Sequence, residues 1–202
     1  IDIVKQQLPN LTGYETEKAN ILDGVNKLQD AINNRKKYDS ILGYYELAKT
    51  SVGANDFETA QHNIDIVKQQ LPNLTGYETE KANILDGVNK LQDAINNRKK
   101  YDSILGYYEL AKTSVGANDF ETAQHNIDIV KQQLPNLTGY ETEKTNILDG
   151  VNKLQDAINN RKKYDSILGY YELAKTSVEA GDYETAQHNI DIVKQQLPNL
   201  TG

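Results

Sequence analysis

The chain is dominated by one internal repeat of 63 residues. The stretch IDIVKQQLPNLTG recurs at this interval, beginning at Ile1, Ile64, Ile127 and Ile190. Residues 1–63 and 64–126 are identical, and residues 127–189 differ from them at four positions. A repeat of this length is one supersecondary unit, which buries its hydrophobic face by stacking on its neighbours. The chain is therefore predicted to fold as a tandem array in which each structural feature recurs.

Each repeat contains three stretches with the apolar periodicity of an amphipathic helix. We predict helix A at residues 38–52, helix B at residues 57–71 and helix C at residues 14–33. The apolar stripes are Tyr38, Ile41, Tyr45, Ala48 and Val52 in A, Phe57, Ala60, Ile64, Val67 and Leu71 in B, and Ile21, Val25, Leu28 and Ile32 in C. On this division residues 1–13 are a partial helix and loop, and three repeats follow at residues 14–76, 77–139 and 140–202.

The turn between helices A and B carries an informative substitution. Asn55, Asn118 and Gly181 occupy equivalent positions, and Asn and Gly best tolerate a positive φ. We therefore predict a left-handed residue that closes helix A. The next residue, Asp56, is the predicted N-cap of helix B, and Pro72 is predicted to end that helix.

Helix C begins after a pattern that is typical of a capping box. Thr12 and Glu15 are three residues apart, so each side chain is predicted to bond to the other's backbone amide. Gly24 and Gly43 lie inside helices C and A, where each costs about 1 kcal/mol relative to alanine. We expect close approach of a neighbouring helix at both glycines.

The junction from helix C to helix A, residues 31–38, reads AINNRKKY and holds neither proline nor glycine. The two apolar stripes are offset by one residue, a slip that a continuous helix can absorb. We predict an all-α fold of tandem helical repeats with a continuous C–A helix over residues 15–52. Each repeat would then be a three-helix bundle, and the array an elongated rod rising about 35 Å per repeat. A break at Asn33 and Asn34 would instead favour a right-handed α-solenoid.

Residues 168–198, which read LGYYELAKTSVEAGDYETAQHNIDIVKQQLP, resemble a tetratricopeptide repeat. The resemblance is carried by Tyr170, Leu173, Ala174, Gly181, Asp182, Tyr183, Ala186 and Pro198. It covers about half of each repeat and implies a helical hairpin formed by A and B, with a peptide-binding groove. Ser177 departs from the family pattern, and helix C has no counterpart in it. The connectivity of the three helices resembles that of spectrin-like rods.

The residue types that carry enzyme chemistry are sparse. The chain has no cysteine, and its three histidines, His62, His125 and His188, are one repeat apart. We therefore predict solvent-facing histidines, no metal or other cofactor, and no enzymatic activity. The net charge of −7 is spread evenly over the repeats, which argues against a nucleic-acid partner. No stretch approaches the roughly 20 apolar residues of a membrane span, so membrane insertion is not expected.

Two further sets of residues are candidates for contact or modification. Each repeat contains one N-x-T sequon, a candidate glycosylation site, at Asn10, Asn73, Asn136 and Asn199. A second tyrosine beside the buried stripe of helix A is a candidate surface-contact residue, at Tyr44, Tyr107 and Tyr170. The alternative for these tyrosines is half-buried packing within the bundle.

Our leading functional hypothesis is a structural rod, stalk or spacer segment of a larger repetitive protein on a cell surface. The alternative is a tetratricopeptide-like scaffold that binds a protein or peptide, and the alternative location is the cytoplasm. In both cases each repeat is expected to contact its neighbouring repeats.

Overall fold

A computed structural model describes residues 1–200, and within them the fold is all-α with no strand. The α-helices are α1 Asp2–Gln7, α2 Glu15–Gly53, α3 Phe57–Gln70, α4 Glu78–Gly116, α5 Phe120–Gln133, α6 Glu141–Glu179 and α7 Tyr183–Gln196. Short 3-10 turns follow α1, α3, α5 and α7, at Leu8–Asn10, Leu71–Asn73, Leu134–Asn136 and Leu197–Asn199. The predicted all-α repeat fold is confirmed.

The described chain divides into two compact units. The first is Ile1–Asn96, and the second begins at Asn97, so the division falls inside α4. The first unit contains one complete hairpin of helices A and B, α2–α3, and the second contains two, α4–α5 and α6–α7. In each unit the first of these hairpins is followed by the helix-C segment of the next repeat.

The predicted continuous C–A helix is confirmed in all three repeats, because α2, α4 and α6 are each 39 residues long. The sequence AINNRKKY forms uninterrupted α-helix, as expected where no proline removes a backbone donor. On the exposed side of the long helix, oppositely charged side chains one turn apart form ion pairs. Arg35 Nη2 lies 3.0 Å from Asp39 Oδ1, and Lys27 Nζ lies 2.8 Å from Asp23 Oδ2. Because these side chains are exposed and screened by solvent, such pairs contribute little to stability.

The turn between α2 and α3 has the predicted geometry. Asn55 is left-handed, with φ of 59°, and the equivalent Gly181 has φ of 77°. The amide of Asp56 then donates to the carbonyl oxygen of Ser51 at 2.9 Å, which closes the end of α2. The Asp56 carboxylate accepts from the Thr59 amide at 3.1 Å and caps α3. Pro72 lies in the 3-10 turn that ends this helix.

The predicted capping box at the start of helix C is wrong. Gly13 and Tyr14 have φ of 78° and 58°, so they cannot be the first helical residues after a Thr12 cap. The helix begins at Glu15, and its N-cap Tyr14 makes no side-chain capping bond. Lys18 replaces the box by donating from Nζ to the Leu11 carbonyl oxygen at 3.0 Å, across the turn.

The core of each compact unit is a three-helix cluster. In the first unit it joins α2, α3 and the beginning of α4, with buried Ile41, Ala48, Ala60, Ile64, Val67, Leu71, Leu74, Ile84, Val88 and Ile95. The second unit repeats the cluster one period later, with buried Ile104, Ala111, Ala123, Ile127, Val130, Leu134, Leu137, Ile147, Val151 and Ile158. The apolar stripes predicted for A, B and C therefore meet in one core.

The left-handed turn residue gives a first prediction. Asn55→Gly should leave the free energy of unfolding unchanged or raise it, because glycine has no Cβ to strain at positive φ. Asn55→Val should lower it by about 1–2 kcal/mol, because a β-branched side chain is disfavoured there. Denaturant melts of the two variants provide the measurement, and equal effects of both would contradict the backbone requirement.

The N-caps of α3, α5 and α7 give a second prediction. The side chain and the backbone amide of Thr59 hold the pKa of Asp56 below its usual value, and Thr122 and Thr185 do the same for Asp119 and Asp182. A lowered folded-state pKa stabilises the fold above the unfolded Asp pKa of about 3.9, and this contribution is lost as the pH falls through the folded-state pKa.

Replacing all three caps by Asn keeps a capping oxygen but removes the titration. The melting temperatures of the wild type and of this triple variant are measured from pH 7 to pH 2. The difference between the two proteins should be smaller at pH 2 than at pH 7. A difference that is constant over this range would rule out the caps as the source of the pH dependence.

Candidate functional site: the hairpin–C interface

The residues that the structure brings together most specifically lie where each A–B hairpin contacts the helix-C segment that follows it. We call this contact the hairpin–C interface. One example lies in the first compact unit, between α2–α3 and the beginning of α4, and one in the second, between α4–α5 and the beginning of α6. The same polar and aromatic contacts occur in both.

An asparagine in the middle of the long helix fixes the loop between helices B and C. The Asn34 amide nitrogen donates to the Thr75 carbonyl oxygen, and its Oδ1 accepts from the Thr75 amide at 3.1 Å. In the second unit Asn97 makes the same pair of bonds to Thr138, whose hydroxyl also donates to Asn97 Oδ1 at 3.0 Å. A net 0.5–1.5 kcal/mol per bond is usual for such contacts. We call this the asparagine clamp.

A pair of stacked tyrosines lies one helical turn beyond the clamp. The rings of Tyr38 and Tyr77 are 4.7 Å apart and inclined by 7°. Tyr101 and Tyr140 repeat the stack at 4.6 Å and 6°. The Arg35 guanidinium lies 5.3 Å from the centre of the Tyr38 ring, and its hydrogen bond to the Asp39 carboxylate raises its pKa.

The incoming tyrosine of each stack has an uncommon backbone. Tyr77 has φ of 55° and Tyr140 has the same value. A left-handed conformation costs a non-glycine residue about 1–2 kcal/mol. Tyr14 has the same conformation, with φ of 58°, although its side chain is 72% exposed, so the turn itself adopts this geometry without the stack. In Tyr77 and Tyr140 the rings then pack on the core and on the neighbouring tyrosine.

A tyrosine on helix A fits against a glycine on helix C. The ring of Tyr45 occupies the space that a Cβ on Gly87 would need, and Tyr108 does the same at Gly150. A close approach therefore occurs at these two helix-C glycines, but the one expected at their equivalent Gly24 is wrong, because nothing lies within 4 Å of a Cβ built there. The same expectation for Gly43 is wrong, because nothing lies within 4 Å of a Cβ built there.

Two glutamines close the interface on the opposite side of the hairpin. Gln61 donates from Nε2 to Gln92 Oε1 at 2.9 Å, and Gln92 donates from Nε2 to Gln61 Oε1 at 2.6 Å. Lys68 adds a bond from Nζ to Gln92 Oε1 at 3.1 Å. Gln124, Gln155 and Lys131 make the same three bonds in the second unit. A reciprocal amide pair satisfies both groups in only one register.

The residues singled out from the sequence lie outside this interface or at its margin. His62, His125 and His188 are exposed, as predicted. Residues 1–200 contain no group of three His, Cys, Asp or Glu side chains that could hold a metal ion. Tyr44, Tyr107 and Tyr170 are half-buried, and the first two pack against the cores.

The sequon asparagines are exposed but already hydrogen-bonded. Asn10, Asn73 and Asn136 each donate from Nδ2 to the carbonyl oxygen four residues earlier at 3.2 Å, and Asn199 does so at 3.3 Å. Nδ2 is the atom to which an N-linked glycan is attached, and a glycosylated Nδ2 keeps one N–H that can donate this bond. Glycosylation of the four asparagines stays a prediction.

Sequence reasoning missed the asparagine clamp and the glutamine pair. The signal for Asn34 was its position one turn before Tyr38, on the buried side of the long helix. The signal for Gln61 was its position one turn before Asp65, to which its side chain also donates at 3.0 Å. Neither position identifies the partner, which lies 41 residues away for Asn34 and 31 residues away for Gln61.

Comparison with protein-family models, with curated proteins and with solved structures finds no match for this chain. The resemblances to tetratricopeptide repeats and to spectrin-like rods therefore stay predictions beyond the all-α repeat itself. Among residues 1–200, no helix is both long enough and apolar enough to cross a membrane.

The tyrosine–glycine contact gives a third prediction, in which one substitution has opposite effects at two sites. Gly43→Ala should raise the free energy of unfolding by about 0.5–1 kcal/mol, because alanine is the better helix former and the site is open. Gly87→Ala should lower it by about 1–3 kcal/mol, because the new Cβ overlaps the Tyr45 ring.

Chemical denaturation of both single variants measures the difference. Tyr45→Ala should abolish the specific penalty, so that Gly87→Ala is no longer destabilising in that background. A penalty that persists without the tyrosine ring would show that another contact causes it.

Proposed function

We propose that this chain is a structural spacer, a rod or stalk segment of a larger repetitive protein at a cell surface. The observation that carries the proposal is the recurrence of the same hairpin–C interface in both compact units. The stacked tyrosines and the glutamine pairs join one repeat to the next, and the asparagine clamp fixes the loop within a repeat. None of these contacts surrounds a cleft with reactive groups. A segment whose specific side-chain contacts are made among its own repeats is suited to act as a spacer.

The proposed mechanism is geometric. Each long helix begins a repeat as helix C and continues as helix A of the hairpin in the same repeat, without a break at Asn34 or Asn97. The asparagine clamp then fixes the loop after helix B to the long helix. This contact sets the position at which the following helix C begins. Each added repeat would extend the array by a constant length, and near-identical repeats would allow this length to change by recombination.

The alternative function is a tetratricopeptide-like scaffold that binds a protein or peptide. One specific observation favours it, an exposed leucine on helix A in every repeat, at Leu47, Leu110 and Leu173. These side chains are 53%, 54% and 55% exposed. A regular series of single apolar side chains could contact an extended apolar peptide. Isolated exposed apolar residues are nevertheless ordinary on protein surfaces, so we place this function second.

Small-angle scattering of the wild type and two triple variants gives the fourth prediction. Asn34→Pro, Asn97→Pro and Asn160→Pro together should remove helical hydrogen bonds and introduce hinges, at about 3 kcal/mol or more per site. The matched control replaces the same three residues by Ala, which removes the clamps of Asn34 and Asn97 but keeps the helix.

For a spacer, the wild type should scatter as an elongated particle that gains a constant length with each added repeat. The Ala variant should keep the maximum dimension with a lower melting temperature, and the Pro variant should scatter as a bent or flexible particle. A compact wild-type particle would overturn the spacer proposal and favour the scaffold. Unchanged scattering of the Pro variant would show that stiffness does not depend on these junctions.

A further inference from the structure

An open apolar groove lies between the end of helix B and the beginning of helix C in each compact unit. In the first unit its volume is about 340 Å³, with Leu71 and Pro72 on one wall and Ala82 and Leu85 on the other. The equivalent groove in the second unit has a volume of about 270 Å³, and a third copy at residues 5–22 has about 280 Å³. These volumes are near the lower limit of small-ligand sites, so each groove can take a few side chains. We call it the B–C groove.

The apolar surface of the B–C groove is the same in every copy. Leu85 is 46% exposed although complete helices precede and follow it, and its equivalents Leu22 and Leu148 are both 44% exposed. In contrast, Leu71 and Leu134 at the base of the groove are each 5% exposed. The exposed leucine is therefore a property of the repeat, and the chain itself leaves this wall uncovered.

One of the four positions that differ between repeats lies in the B–C groove, where Ala82 is replaced by Thr145. The Thr145 hydroxyl donates to the Glu141 carbonyl oxygen of its own helix at 2.9 Å. The exchange therefore adds no unpaired donor to the wall, and the groove stays apolar in both units.

Each wall of the groove also contributes a lysine. Lys68, at the end of α3, donates from Nζ to the neutral Gln92 Oε1 at 3.1 Å. Lys81, in the first turn of α4, donates from Nζ to the Leu74 carbonyl oxygen at 3.0 Å and lies 3.5 Å from the exposed Glu78 carboxylate. An ammonium group has three N–H donors, so both lysines can bond to a further acceptor.

The charges of the lining favour an acidic occupant. Two lysines and one glutamate line the groove of the first unit, so the lining carries a charge of +1 within a chain that carries −7. The negative charge of the chain repels an acidic ligand from most of its surface. An acidic ligand with an apolar part is therefore directed to the groove.

We propose that the B–C groove binds an extended acidic peptide segment in which aliphatic side chains are flanked by carboxylates. The aliphatic side chains pack between Leu71 and Leu85, and the carboxylates accept hydrogen bonds from Lys68 and Lys81. A lysine on each wall suits two separate carboxylates better than the single carboxylate of a fatty acid. Peptide binding in the groove is independent of the spacer function, because it requires neither a rod shape nor the helix-A leucines.

Isothermal titration calorimetry of the full chain tests the proposal with the blocked peptide acetyl-Glu-Leu-Leu-Glu-amide as the probe. The dissociation constant should be about 1 mM or lower. The peptide with lysine in place of both glutamates tests the charge, and the peptide with serine in place of both leucines tests the apolar contact. Each should bind about tenfold more weakly or less.

Two triple variants with equally exposed leucines locate the site. Leu22→Gln, Leu85→Gln and Leu148→Gln together should weaken binding of the probe about tenfold, because they replace the exposed wall of every groove. The matched control is Leu47→Gln, Leu110→Gln and Leu173→Gln, whose leucines lie on helix A and are 53–55% exposed. This control should bind like the wild type, and both variants should keep the wild-type melting temperature.

A third variant tests the lysines, because Lys5→Gln, Lys68→Gln and Lys131→Gln together should remove the preference for the acidic probe over its lysine counterpart. Binding with this pattern would support the proposal, and a wild type that gives no saturable heat would overturn it. Loss of binding in the helix-A variant would also overturn it, because the peptide would then lie on helix A. Decanoate that binds as tightly as the peptide would identify a fatty acid as the occupant instead. Self-association that only the groove variant loses would identify a second copy of the chain, and either result would overturn the peptide assignment.

Discussion

The fold depends on the burial of each A–B hairpin by the helix-C segment that follows it. A helical hairpin has an apolar face on two helices, and a third helix is needed to remove that face from water. The effect is visible within this chain because identical residues occur in covered and uncovered settings. Val67 is fully buried beneath helix C and its equivalent Val193 is only half-buried. The stability of each hairpin therefore depends partly on its contact with the neighbouring repeat, as in other repeat arrays.

The local parts of this architecture could be predicted from the sequence because their causes are local. The absence of proline and glycine from residues 31–38 was sufficient to predict a continuous helix. The Asn-to-Gly exchange at position 181 was sufficient to predict a left-handed turn residue. The capping box failed because two patterns competed for the same residues. Thr12 and Glu15 have the spacing of a box, but Gly13 and Tyr14 adopt positive φ and so move the helix start.

The candidate site could not be predicted in the same way, because its contacts join residues that are far apart in sequence. Gly24 and Gly43 illustrate why such contacts could not be predicted, since both glycines lie inside helices and nothing in the sequence around them separates their roles. Only the packed register places the glycine of helix C against a tyrosine ring, as at Gly87, and leaves the glycine of helix A in open space. Local periodicity identifies the face of a helix but leaves the partner of each residue on that face open.

A near-identical repeat also constrains the chemistry of its interface, because one sequence must serve in both covered and uncovered positions. A purely aliphatic face would be adhesive when uncovered and would accept many registers when covered. The observed interface instead combines a buried apolar stripe with tyrosines, an asparagine clamp and a reciprocal glutamine pair. These polar groups are hydrated when uncovered, and they are satisfied in one register when helix C packs on the hairpin. The specificity of this register allows identical repeats to follow one another without slipping, because a shift of even one residue would separate Gln61 from Gln92 and drive a side chain into the Tyr45 ring.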